Sequence, residues 1–480
     1  MLADPETSSR IRNKNALLHV VKLIFAACST GVFAAAWAGF YAELIYRPFY
    51  GRGNIAVVGL YFVLFVTLCR LYGGFQVGLV RISELVYSQG VALMMTGGLI
   101  YIVIWLLTRH LPDPMPLLGA TAINFMLGIL WSRLANRLNN RLFPPKRTLV
   151  VYEGEQALAP LEGIAAMHWK FCVVDTVQIG CGVEAVLQAI QAEAAEAVFV
   201  CGVTSSVRNI ILKECLGRGV QVYLRPKLGD LLVSSAKRVQ MFNVPILYCA
   251  RSNASMWYLA AKRTLDLCAA LAALALLWPL MALTALAIKL YDKGPVFYKQ
   301  CRLTKDGKRF NILKFRSMRP DAEKDGVARL ASENDDRITP IGRLIRMIRF
   351  DELPQLFNIL KGDMSLVGPR PERPEIAARY AQQMPEFNLR LQVKAGLTGY
   401  AQVHGRYNST PYDKLQMDLM YIADQSMAND LKIMMMTVKI LFMPESTEGV
   451  REGKTTAVRW EPMEGGQAAA TAKEESMARQ

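Results

Sequence analysis

The stretch RFDELPQLFNILKGDMSLVGPRPE, Arg349–Glu372, joins residue types that packing alone does not call for. Asp351 and Glu352 are adjacent carboxylates. Pro354 interrupts the backbone just after them, and Gly368-Pro369-Arg370-Pro371 makes a stiff corner that carries a cation. Paired acids draw metals or metal-bound phosphates, and an arginine fork fits phosphate oxygens. Gly368 and Pro369 set a fixed bend, while Pro371 holds Arg370 extended at low entropic cost. The chemistry such an assembly could perform is phosphoryl transfer. A bare Asp-Glu pair would not carry that reading, because neighbours on a helix point about 100° apart. The corner that follows gives the pair its meaning.

The elements that position these groups are legible nearby. In PIGRLIRMIRF, Ile341, Leu344, Ile345 and Ile348 recur at helical spacing, with Arg343, Arg346 and Arg349 on the other side. This is a basic amphipathic helix suited to a membrane interface, or alternatively a surface helix on a soluble core. Its end delivers Asp351 and Glu352. Pro354 biases Leu353 away from helix and suits the start of the next one, which would place the acids at a helix N-terminus. Upstream, Lys293–Arg319 holds nine Lys or Arg against one Asp, with GKRFNILKFRSMR alternating apolar and basic positions. Beside a membrane segment, such a run suits anionic headgroups or a diphosphate.

The 480 residues suit two or three domains, and the 52% hydrophobic content is concentrated in runs. Leu23–Tyr41 and Leu85–Thr108 hold no charge over 19 and 24 residues and read as membrane spans. Asn54–Cys69 and Met115–Ser132 are shorter and need snorkelling flanks. No small-residue cleavage site follows the first run, so a removable signal peptide is not expected. Lys and Arg cluster before the first span and after the fourth, at Arg133, Arg137, Arg141, Lys146 and Arg147, so both ends are expected in the cytosol. The net charge of +16 then suits lipid headgroups and phosphorylated substrates. No nucleic-acid-binding pattern appears, so no nucleic-acid partner is expected. The nine cysteines include no CxxC pair, which fits reduced core residues in a cytosol-facing protein.

From Thr148 to about residue 250, strands and helices alternate: TLVVYEGE, FCVVDTV, VEAVLQAIQAEAAE, AVFVCG, VRNIILKECLGRG, VQVYLRP. The alternation predicts a small parallel α/β, Rossmann-like domain. A dinucleotide fingerprint is missing after the first strand, where YEGEQA offers only Gly154 and places acids where phosphates would sit. A fifth apolar run, Leu267–Ile288, has 22 residues without a charge and Pro279 inside it. Both flanks are basic, so a helix-break-helix that enters one leaflet and returns is expected over 264–289, with Pro279 as the break and Thr284 as an imperfect partner for the freed carbonyls. A fifth, proline-kinked span is the alternative.

KFRSMR, DELPQLFNILKGDMSLVGPRPE and KAGLTGYAQVHGR, in that order over roughly 258–445, resemble the bacterial sugar transferases, the monotopic phosphoglycosyl transferases that begin exopolysaccharide, capsule and O-antigen assembly. The spans and α/β domain resemble the long form of that family. The implied fold is an N-terminal arm (1–15), a four-helix transmembrane bundle (16–147), a cytosolic α/β domain (148–250) and a mostly helical monotopic catalytic domain (258–445). A small, polar tail at 446–480 is expected to be disordered.

The resemblance implies transfer of a sugar-1-phosphate from a UDP-sugar to undecaprenyl phosphate with release of UMP, at the cytoplasmic face of a bacterial plasma membrane. It implies Asp351 as covalent nucleophile, Glu352 as its helper, and Mg2+ near Asp351. By motif match Lys314, Arg316, Pro369, Arg370 and Arg406 are candidates for phosphate or nucleotide binding, and Asp418, Tyr421 and Asp430 belong to the C-terminal helical pattern. The sequence departs from the family's common residues at Arg349-Phe350, at Ala395 and at Trp278-Pro279. A membrane nucleotide-sugar dehydratase would need a dinucleotide fingerprint and a Tyr-x-x-x-Lys pair, which the second half lacks; a non-catalytic scaffold would fit loss of Asp351 or Arg370, and both are present. The sugar, the role of the α/β domain and the oligomeric state are not legible; pairing of two copies through the α/β domain is compatible with the sequence.

Overall fold

The computed structural model describes residues 5–49, 52–154, 163–165, 167–251, 254–319, 337–405 and 410–441. The chain forms two compact units, Met1–Pro226 and Lys227–Gln480. Residues 227–250 group with the second unit.

In the first unit, α1 (Pro5–Ala36), α2 (Arg52–Tyr72), α3 (Ile82–Thr108) and α4 (Met115–Leu142) pack each against two of the others. The two runs that looked short lie in helices of 21 and 28 residues, extended at their ends by Arg70 and by Arg133, Arg137 and Arg141. Among the described residues five helices are long and apolar enough to cross a membrane, these four among them. Aromatic stacking joins Phe33 to Tyr61 at 4.2 Å and Phe25 to Trp131 at 4.7 Å. Two buried polar groups find partners on other helices. Ser132 donates to Gln89 Oε1 (3.1 Å), and Asn124 donates to the Ser29 carbonyl (3.1 Å).

The same unit carries a four-stranded parallel sheet in the order β2-β1-β3-β4, from β1 (Lys146–Tyr152), β2 (Phe171–Gln178), β3 (Ala197–Cys201) and β4 (Gln221–Leu224). Helices α5 (Val183–Ala192) and α6 (Ser205–Gly217) complete a core of Leu149, Val151, Val186, Val198 and Ile211. Glu153, just past β1, accepts the Thr204 N–H at the start of α6 (3.0 Å). A carboxylate therefore occupies the strand ends, as the acids after β1 led us to expect.

The second unit opens with α7 (Leu228–Ser234) and an antiparallel hairpin of β5 (Lys237–Met241) and β6 (Val244–Tyr248). Helix α8 (Met256–Asp292) follows, with Pro279 inside it. The break expected at Pro279 is not a break in secondary structure: all 37 residues form one helix. Proline's fixed φ is compatible with helix, and its missing N–H costs a single ladder bond. Thr284 does not serve the carbonyl freed by that loss; it donates to its own i−4 carbonyl, Leu280 (2.8 Å).

Both halves of α8 pack on this unit. Ala269, Ala270, Ala273 and Leu274 join a core with Ile312, Leu356, Ile359 and Met364, whereas Met281 and Ile288 join Phe315 and Ile345. Between them Leu276, Trp278 and Leu283 are exposed. The remaining elements are the antiparallel pair β7 (Phe297–Leu303) and β8 (Arg309–Phe315), α9 (Pro340–Met347), α10 (Gln355–Lys361), β9 (Met364–Val367), α11 (Pro374–Gln383), β10 (Ala395–Thr398), α12 (Tyr400–His404), α13 (Pro411–Ala423) and α14 (Met427–Leu441). β9 and β10 pair in parallel. The predicted tail, 446–480, lies outside the described residues.

Candidate active site

Helix α9 starts at Pro340, capped by Thr339, whose hydroxyl accepts the Gly342 N–H at 2.9 Å. It buries Ile345 and leaves Leu344 and Ile348 exposed. Arg349 then takes a left-handed conformation (φ 55°, ψ 25°), a costly one for a side chain other than glycine, and turns the chain into a tight 3-10 turn, Phe350–Glu352. Phe350 anchors that turn against the Met281–Ile345 cluster. The acids lie just before α10, as expected of a dyad at a helix N-terminus, but Pro354 is the N-cap and Gln355 the first helical residue.

The two acids have different surroundings. Glu352 is buried, and its Oε1 accepts from Lys314 Nζ (2.9 Å) and Arg370 Nη2 (2.8 Å). Burial alone would raise its carboxyl, but Arg370 and Lys314 overcome that and hold it well below the usual carboxylate range. Arg370 in turn is stabilised as a cation, chiefly by Glu352. Asp351 has no hydrogen-bond or ion-pair partner among the described residues. Burial, and then the Glu352 charge, push its carboxyl up, opposed by Lys314, Arg346 and Arg370. One carboxylate is committed and its neighbour is not.

Lys314 reaches Glu352 because Asn358 of α10 pins β8 edgewise. Asn358 accepts the Leu313 N–H (3.0 Å) and donates to the Asn311 carbonyl (2.9 Å). Arg316 does not join the dyad. It pairs with Asp292 at the end of α8, and a Cβ on Gly294 would meet its Nη1. Arg346 was visible in the sequence only as part of a charged helix face. Here its charge acts on Asp351, and its buried Nη1 has no hydrogen-bond partner among the described residues. Arg406 lies outside the described residues, and Pro279 lies within α8.

Arg370 is aimed by a loop whose carbonyls from Pro369 to Glu372 are each held. Pro369 O accepts from Gly396 N (2.9 Å), Arg370 O from Arg390 (2.8 Å), Pro371 O from Arg302 (3.1 Å) and Glu372 O from Leu303 N (3.0 Å). Gly368 N donates to Thr398 O (2.8 Å). The crossing is tight: a Cβ on Gly396 would lie 2.1 Å from Gly368 N, and one on Gly368 would lie 2.4 Å from Lys394 O. Ala395, where the family commonly has proline, donates its N–H to Thr304 Oγ1 (3.2 Å), a bond proline cannot make. Sequence reasoning missed Arg302 and Arg390. The available signal was a lone arginine among the apolar residues of FNLRLQV.

Below this loop, Asp430 accepts from Tyr258 (2.8 Å), Lys262 (2.7 Å) and Tyr421 (2.8 Å), joining α8 to α13 and α14. Arg263 of α8 donates to the Ile359 and Leu360 carbonyls at the end of α10 (2.7 and 2.9 Å), and Asp266 accepts the Leu366 N–H (2.9 Å). The start of α8 is thereby fastened to the two elements that follow the dyad.

No cluster of three metal-ligating side chains occurs among the described residues. Mg2+ needs only one or two carboxylates and completes its shell with phosphate oxygens and water, so the uncommitted Asp351 fits that donor requirement.

The sequence model described as bacterial sugar transferase matches residues 257–444. The chain is 42% identical over 234 residues to the undecaprenyl-phosphate glucose phosphotransferase of Komagataeibacter xylinus, covering 46% of this chain and 44% of that protein. It is 41% identical over 187 residues to the UDP-N-acetylgalactosamine-undecaprenyl-phosphate N-acetylgalactosaminephosphotransferase of Aeromonas hydrophila, covering 38% and 44%. The match thus spans less than half the length of these two proteins. The UDP-glucose:undecaprenyl-phosphate glucose-1-phosphate transferase of Caulobacter vibrioides is 43% identical over 190 residues, 38% of this chain and 71% of that protein. The residues matched by the family model include the dyad, the fastened loop and their supports, and the chain belongs to the bacterial sugar transferase family.

Proposed function

We propose that the chain transfers a sugar-1-phosphate from a UDP-sugar to undecaprenyl phosphate and releases UMP, through a covalent intermediate on Asp351. The observation that carries this reading is the asymmetry of the dyad: Glu352 is locked by Lys314 and Arg370, while Asp351 beside it is free to react. In the first step an Asp351 oxygen attacks the sugar-side phosphorus. The bond from that phosphorus to the bridging oxygen breaks, and UMP leaves with the electron pair. In the second, an oxygen of the lipid phosphate attacks the same phosphorus and Asp351 departs as carboxylate, giving the lipid diphosphate sugar. Splitting one displacement into two lets the water-soluble donor and the lipid acceptor use one site in turn.

Arg370 and Lys314 supply positive charge at the site, and Glu352 keeps both in place without quenching them fully, being one anion against two cations. The buried, unpartnered Nη1 of Arg346 is a further donor for phosphate oxygens. Mg2+, bound through Asp351, would neutralise diphosphate charge. The relatives are named for glucose and for N-acetylgalactosamine, so the reading stops at a UDP-hexose or its N-acetylated form.

The reaction is placed at the cytoplasmic face of the bacterial inner membrane, as the first membrane step of a polysaccharide. The packing of both halves of α8 on one unit supports a helix that bends at Pro279 without ending and keeps both of its ends at one membrane face, since Asp266 and Asp292 bracket the apolar stretch and both hold that unit. The test is UMP release by the full chain in bilayers given Mg2+, undecaprenyl phosphate and either UDP-glucose or UDP-N-acetylgalactosamine. The reading expects release dependent on Asp351; turnover by Asp351→Asn at the wild-type rate would overturn it.

A further inference from the structure

Arg390 touches neither acid of the dyad, yet it is among the most committed cations of the second unit. Its side chain is 6% exposed, and its Nη2 donates to the Arg370 carbonyl (2.8 Å). The same nitrogen lies 2.7 Å from Asp418 Oδ2, and Nη1 lies 3.5 Å from Glu372 Oε1. The guanidinium also sits 4.9 Å from the Phe387 ring centre. Asp418 is fully buried on α13, and burial pushes its carboxyl up to about 6 against the pull of Arg390.

Where this cation grips the loop decides what it can control. Pro371 fixes its own φ and steers Arg370 toward the extended region, within which the peptide plane between Arg370 and Pro371 can still rotate. That rotation is Arg370's ψ, and the oxygen that reports it is the one Arg390 holds. The neighbouring carbonyls of Pro369 and Pro371 are held separately, by Gly396 and Arg302, and among the described residues Arg390 is the side chain that holds this plane.

We infer that Arg390, oriented by Asp418 and Glu372, is a positioning residue that fixes the peptide plane after Arg370 and so aims the Arg370 guanidinium at Glu352 and the incoming diphosphate. The inference rests on the phosphosugar-transfer reading above. It couples α13, through a buried ion pair, to a group at the reacting phosphate.

The test uses Arg390→Lys, which keeps the charge facing Asp418 and Glu372 but loses the fork. Asp418→Asn, which removes the orienting charge at nearly constant shape, serves as the second variant should the lysine variant fail to fold. With UDP-glucose as donor and the full chain in bilayers, Arg390→Lys is expected to lower kcat about tenfold while KM moves less than about threefold. In an Arg370→Ala background the same change is expected to cost less than about twofold, because the group being aimed is gone.

Hydrogen exchange gives a readout independent of activity. The Gly396 amide, bonded to Pro369 O, should exchange faster in Arg390→Lys, while the Leu313 amide, held by Asn358, should not change. Equal fold-losses in the two backgrounds, or unaltered Gly396 exchange, would overturn the positioning role. Faster Gly396 exchange in a protein that releases no UMP from either nucleotide sugar would uphold the grip on the loop and sink the phosphosugar reading instead.

Discussion

Asp351 and Glu352 are adjacent in the chain and opposite in electrostatic character. The carboxyl of Asp351 is pushed up by burial and by its neighbour's charge, and that of Glu352 is pulled well below the usual range by Arg370 and Lys314. The backbone reason is Arg349, whose left-handed turn sends Glu352 inward to β8 and the Arg370 loop and leaves Asp351 without a partner among the described residues.

The two acids should therefore change stability in opposite directions. A raised carboxyl contributes stability that is fully present below its unfolded value, about 3.9 for Asp, and is lost as pH rises through the folded value. Ionised Asp351 is thus a net cost at neutral pH, and Asp351→Asn is expected to raise Tm. Glu352 runs the other way: its contribution is present above about 4.3 and lost as pH falls through the depressed value. Glu352→Gln should lower stability by about 1–3 kcal/mol, a range discounted because Arg370 is partly solvated. Thermal unfolding of both variants at pH 7 checks the pair of signs.

Activity should follow the ionisation of Asp351. Because Asp351 must ionise before it can hold Mg2+ or attack, and its carboxyl is pushed up in the metal-free chain, UMP release at limiting Mg2+ is expected to fall on acidification at a higher pH than an ordinary aspartate would give. A rate profile that stays flat down to the ordinary Asp range would contradict that assignment.

The loop crossing predicts intolerance to a single methyl group. In Gly396→Ala the new Cβ would meet backbone at 2.1 Å, and in Gly399→Ala it would meet Gly368 O at 2.2 Å. Backbone cannot yield as a side-chain tip does, so Gly396→Ala should cut activity by about 100-fold or more through a displaced Arg370. Activity close to wild type would show that Arg370 needs no such precision.

How far the sequence could be read depended on whether the relevant contact was local. The dyad and the Gly-Pro-Arg-Pro corner were legible because their meaning lies in residues a few positions apart. The partners of Lys314 and Arg316 were not. The two are separated by one residue at the end of β8, yet one meets Glu352 and the other Asp292, a choice set by where α8 ends. Arg390 was invisible for the same reason, since its partners Arg370 and Asp418 lie 20 and 28 residues away. At Pro279 the local rule for proline predicted a break, and the helix continues because one missing bond does not outweigh the rest of the ladder.

The path of α8 can be read with single cysteines at exposed positions near its ends, Ala261→Cys and Leu290→Cys, in a background lacking the native cysteines. A helix that enters and leaves by one face predicts labelling of both by a membrane-impermeant thiol reagent from the same side. Labelling from opposite sides would make α8 a full span.

The central claim, a phosphosugar carried on Asp351, is tested most directly by trapping it. The full chain in bilayers is incubated with UDP-glucose or UDP-N-acetylgalactosamine and Mg2+ but no lipid acceptor, quenched in acid, and mapped by peptide mass spectrometry. The account predicts one equivalent of UMP and a sugar-phosphate adduct on the peptide holding Asp351, absent in Asp351→Asn and discharged by added undecaprenyl phosphate. UMP that forms only when the lipid is present, with Asp351 never modified, would contradict it.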